Sequence, residues 1–151
     1  MKRTEPNGVA LGVLGLLTGA AMALAGCSAG TEFQSEVRPH VRCVDDSPGC
    51  VSQRQAALKA MLADPKHRWV HDHADADAYA TGVRLFAFKT RKRELSCTDL
   101  KKGRHEAEAG AGTLRGPGGR HLTPAQVSRG VMFAGEVSRE LAKELRRRCR
   151  A

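Results

Sequence analysis

The stretch TPAQVSRGVMFAGEVSRELAKELRRR, residues 123–148, sets the architecture of this chain. Thr123 offers a side-chain oxygen as an N-cap. Pro124 occupies the first helical position, where its missing N–H costs nothing, and Gln126 stands where a capping box needs it. Val127, Val131, Ala134, Val137, Leu141 and Leu145 then recur three or four apart, which lines them along one face of a helix. Glu140 precedes Lys143 by three, and Arg146, Arg147 and Arg148 fall at the negative end of the helix dipole. A helix over about 124–148 with a single apolar stripe must be covered by other elements.

The neighbouring segments supply helices of the same kind. Ser47-Pro48 reads as an N-cap followed by proline, and Val51, Leu58, Met61 and Leu62 continue at helical spacing until Asp64-Pro65 stops the run. Residues 67–74 read as a polar loop. Asp75 or Asp77 caps a second helix to about Thr90, with Tyr79, Val83 and Phe86 on one face, although Gly82 weakens it. Val83 to Phe88 also fits a short strand, but the Ala-rich approach favours a helix. Arg91-Lys92-Arg93 turns the chain, and Ser96 or Thr98 starts a third helix that stops near Gly110. Residues 110–119, with five Gly and one Pro, read as a loop. The expected body is all-α: a small bundle of four helices over residues 43–151.

Ahead of it stands a different kind of segment. Lys2 and Arg3 are followed by an uncharged run from Val9 to Gly26, diluted by glycines and ending in Leu24-Ala25-Gly26-Cys27. That tetrapeptide resembles the lipobox of bacterial lipoprotein precursors. The resemblance implies cleavage between Gly26 and Cys27, a lipidated Cys27 as the first mature residue, and a membrane anchor of two or three acyl chains. Residues 1–26 are then a signal peptide and 27–42 a tether, whose residues reach about 50 Å when extended. The implied location is the bacterial envelope, facing the periplasm. Ser28, in place of Asp, favours the outer membrane by enterobacterial sorting. Lys2, Arg3 and Glu5 leave with the signal, which lowers the net charge of +9 by only one.

Four cysteines remain, Cys43, Cys50, Cys97 and Cys149, an even number in an oxidising compartment. Two disulfides follow, with three connectivities open; no Cys-x-x-Cys pair favours zinc. If short connections alternate the helices up and down, all four cysteines gather at one end. Arg91, Lys92, Arg93, Arg146, Arg147, Arg148 and Arg150 gather there too, with Arg38 and Arg42 of the tether. This places a basic end against the anchored surface, where anionic lipid, lipid A phosphates or peptidoglycan carboxylates would supply the counter-charge. Nucleic acid is excluded as a partner by the location.

The opposite end is expected to hold His71-Asp72-His73 and His121, ligand types suited to zinc, copper or nickel. A metal-binding or small hydrolytic module using these histidines is the alternative to a binding or scaffolding role. No nucleophile elbow, His-Glu-x-x-His, phosphate loop or dinucleotide fingerprint is present, and no cofactor is expected. Glu106 and Glu108 project to different faces of their helix and make a poor acid pair.

Overall fold

The computed structural model describes residues 41–149, and the chain there is all-helical. The helices are α1 (Pro48–Ala63), α2 (Ala76–Thr81), α3 (Val83–Arg91), α4 (Cys97–Arg115) and α5 (Pro124–Arg148), with 3-10 turns at Arg68–His71 and Pro117–Gly119. No strand occurs among the described residues, and no helix there is long and apolar enough to cross a membrane. The signal peptide, Cys27 and most of the tether lie outside the described residues.

The helix starts follow local chemistry. Thr123 and Gln126 exchange both bonds of the capping box, Gln126 N–H to Thr123 Oγ1 at 3.3 Å and Thr123 N–H to Gln126 Oε1 at 2.8 Å. Ser47 caps α1, Asp75 caps α2 and Ser96 caps α4.

Helices α4 and α5 form the antiparallel spine. Leu114 lies against Gly130, Ser138 donates to Glu108 at 3.3 Å, Leu141 lies by Gly103, and Cys97 is bonded to Cys149. A close approach is built into α4. A Cβ on Gly103 would stand 2.5 Å from the Phe88 ring, and one on Gly110 would stand 3.2 Å from the Tyr79 ring. Glycine here makes room for aromatic faces. The helix therefore runs past Gly110 to Arg115, where the composition had read as a loop. Burying Leu114 in the core offsets the roughly 1 kcal/mol that each helical glycine costs.

The expected second helix is two. Gly82 takes a left-handed φ of 71°, ending α2 and starting α3. The break resets the helical face: Leu85 and Phe88 point into the core and Phe86 is 44% exposed, not packed beside Tyr79. The residues read as a polar loop also contribute core, because the turn at Arg68–His71 buries Trp69 and Val70. Trp69 meets Phe88 edge to face at 4.8 Å.

The strict up-and-down order is corrected at α1. Gln126 Nε2 donates to Val44 O at 3.1 Å, and Arg129 faces Asp46 at 3.8 Å, so the chain ahead of α1 lies beside the first turns of α5. The end of α1 is tied to the end of α3, Arg91 donating to Leu62 O. Along α5, Gly82 meets Phe133, Lys89 meets Glu136 and Lys92 meets Glu140, so α3 runs in the same sense as α5. Residues 64–75 are a return segment long enough to climb the bundle, not a tight turn, and α1 starts where α5 starts.

Candidate functional site

The cysteines are joined Cys43–Cys50 and Cys97–Cys149, with Cα separations of 5.6 and 5.8 Å. They do not gather at one end. The first bridge adjoins Val44, hydrogen-bonded to Gln126, and the second closes on Cys149, so about 35 Å of helix lies between them at 1.5 Å per residue. Pairing across seven residues is satisfied locally and needs no convergence with the other pair. Arg42 adjoins the first bridge, and Arg38 lies outside the described residues. The chain thus enters the body away from the arginines at the end of α5, where sequence order had placed both together.

That far end is built where α3 stops, α4 starts and α5 stops. Arg148 folds across the turn, Nη1 donating to Arg93 O at 2.7 Å and Lys92 O at 3.2 Å, and Nη2 to Leu95 O at 3.2 Å. These carbonyls follow α3 with no helical partner, so Arg148 serves as a tertiary cap. Glu144 is buried beneath the arginines and accepts from Arg147 Nε at 3.1 Å. The Arg147 bond chiefly, with the charges of Arg148 and Arg93, holds its carboxyl below the usual range. Lys92 donates to Glu140 at 2.5 Å and Arg91 to Glu94, and each bond draws down the carboxyl it meets. Arg91, Lys92, Arg147 and Arg148 are thus committed to internal pairs. The Arg93 side chain is exposed and makes no hydrogen bond or ion pair at contact distance among the described residues, and Lys143 is exposed one turn away from Arg147. Arg150 lies outside the described residues. Over residues 91–95 and 140–148 there remain seven Lys or Arg against three Glu, so the end stays cationic after its internal pairing.

The histidines do not converge. His71 faces Asp99 at 3.4 Å at the start of α4, whereas His121 bonds Asp77 at 2.5 Å beyond the end of α4. Some 16 helical residues separate those levels, about 24 Å. His73 is exposed and lines a small crevice with Asp72 and Arg84, away from Asp99 and Asp77. No group of three His, Cys, Asp or Glu that could hold a metal occurs among the described residues. The alternative site of His71, His73 and His121 is therefore not assembled among the described residues.

Sequence reasoning missed the buried charge. Arg84, 4% exposed, pairs with Glu106, Nη2 to Oε2 at 2.8 Å, and donates to the carbonyls of Trp69, Val70 (3.1 Å) and Asp72 (2.9 Å). Its guanidinium also lies 5.5 Å from the Phe88 ring centre. The pair fastens the return segment to α3 and α4. Glu106, weighed as a catalytic acid, is a structural counter-ion; Glu108 is held on the surface by Arg104 at 2.8 Å. An arginine inside an apolar run, Val83-Arg84-Leu85-Phe86, was the available signal.

No known protein family, curated protein or solved structure matches this chain.

Proposed function

We propose that the chain is a bacterial envelope lipoprotein, anchored through an acylated Cys27, whose helical body bridges the membrane to an acidic envelope polymer. The role is binding or scaffolding, not catalysis. The observation that carries this reading is the separation of Val44 from the cationic end: about 35 Å lies between the side where the tether joins and the side where positive charge collects. A body held from one side presents its cations to whatever lies beyond the anchored surface. Peptidoglycan carboxylates are such a layer for a periplasm-facing outer-membrane lipoprotein. Anionic lipid or lipid A phosphate of the anchored leaflet would require the body to turn over on its tether.

Exposed Arg93 and Lys143 are the contacts, each worth about 1 kcal/mol beside an anionic surface and screened by salt. The test is co-sedimentation of the non-lipidated Cys27→Ser protein with isolated peptidoglycan, in parallel with flotation on phosphatidylglycerol vesicles. Binding to peptidoglycan that weakens about thirtyfold in Arg93→Gln/Lys143→Gln and disappears in high salt is expected. Salt-insensitive or absent sedimentation overturns the bridging role. Mass spectrometry of the native protein tests the anchor, through loss of residues 1–26 and an acyl mass on Cys27.

A further inference from the structure

A second surface lies on the outer side of α5, on its first half and away from the cationic end. Two open grooves of about 550 and 590 Å³ flank this helix and share Val131 and Met132. The first has an apolar floor of Leu114, Leu122 and Val127, rimmed by Arg115 and Arg120. The second runs on past Phe133 to Arg139. Met132 stands between them at 65% exposure, the most exposed large apolar side chain among the described residues. From Pro124 to Arg139 the trough follows α5 for about 22 Å, the length of a four-turn helix.

Its charge is one-sided. The guanidinium groups of Arg115, Arg120 and Arg139 make no hydrogen bond or ion pair among the described residues, and Arg129 reaches Asp46 only at 3.8 Å. The one acidic residue lining the trough, Glu136, is already held by Lys89 at 2.6 Å. An apolar floor between unpaired guanidinium groups calls for an occupant with an apolar stripe and carboxylate flanks. A second copy of this chain does not fit, because a two-fold contact would set these arginines against each other. A lipid tail gains little from a trough open along its length, since ligand pockets enclose most of a small molecule's surface. A protruding methionine on a straight helical ridge is instead a knob for the hole of a facing helix, and its flexible thioether adapts to what it meets.

We infer that this trough is a docking site for an acidic amphipathic helix of a partner protein, with apolar anchors spaced i, i+3, i+4 and i+7. The site is independent of the peptidoglycan contact.

The test is fluorescence anisotropy of the mature protein with a labelled designed peptide of about four turns, carrying leucines at those spacings and glutamates on its flanks. A lysine-flanked peptide of the same pattern is the control. The expected result is saturable binding of the acidic peptide only, weakened about tenfold or more both by Met132→Lys and by Arg115→Ala/Arg120→Ala. Met132 is exposed, so its replacement leaves the fold intact, which circular dichroism checks. Absent binding, or binding indifferent to these substitutions, overturns the inference. So does phosphatidylglycerol vesicle binding that depends on the same residues, which makes the occupant lipid, or a dimer by sedimentation that Met132→Lys dissociates, which makes it a second copy.

Discussion

Tyr79 is the only tyrosine of the chain and packs in the core against Gly110. Burial first, and the Glu106 carboxylate second, push its hydroxyl from 10.0 up to about 12, with Arg84 opposing. The folded protein therefore keeps this proton where the unfolded chain releases it. Stability is undiminished below about pH 10 and falls as pH rises from about 10 to about 12. Ultraviolet titration of the single phenol is expected to give a midpoint near 12, returning to near 10 in denaturant. A native midpoint near 10 would place Tyr79 outside the core. The neighbouring Arg84–Glu106 pair could not be anticipated from spacing. Arg84 stands inside an apolar run, but Glu106 reads as surface charge; desolvation of both became affordable only where three backbone carbonyls and a carboxylate converge on one guanidinium.

Two of the three glycines of helix α4, Gly103 and Gly112, have opposite expected behaviour. Gly103→Ala would drive a methyl to 2.5 Å from the Phe88 ring and 3.2 Å from Leu141. Overpacking of about 1–3 kcal/mol is expected to outweigh the gain in helix propensity. At Gly112 nothing lies within 4 Å, so Gly112→Ala is expected to stabilise by about 0.5–1 kcal/mol. Urea denaturation of both variants measures this, and equal effects would contradict the packing described. The same helix explains an error of reading. Glycine content argues for a loop when only local propensity is weighed, whereas here glycines provide the flat face against which Phe88 and Tyr79 lie. The caps of α1 and α5 were legible, and that of α4 was narrowed to Ser96 or Thr98, because a cap depends on residues three positions apart and on nothing else.

Across the molecule, the two disulfides restrain very different lengths of chain. The Cys97–Cys149 bridge spans 52 residues and Cys43–Cys50 spans seven. Loop-closure entropy gives about 4 kcal/mol for the former and about 2.5 kcal/mol for the latter. Replacing Cys97 and Cys149 by serine is therefore expected to lower the unfolding free energy more than replacing Cys43 and Cys50, as read by thermal melting under non-reducing conditions. The reverse order would mean that α1 relies on its staple more than the spine does.

The all-α character, the helix starts at Pro48 and Pro124, the start of α4 to within two residues, and the identity of the bridging cysteines were determined by the sequence itself, because periodicity, capping and redox chemistry act over a few residues or through composition. The direction of α1, the break at Gly82, the burial of Arg84, the separation of the three histidines and the distance between the tethered side and the cationic end were decided by tertiary structure alone. Each depends on how a long return segment and a glycine-lined helix share one core, and that is a balance among residues distant in the chain.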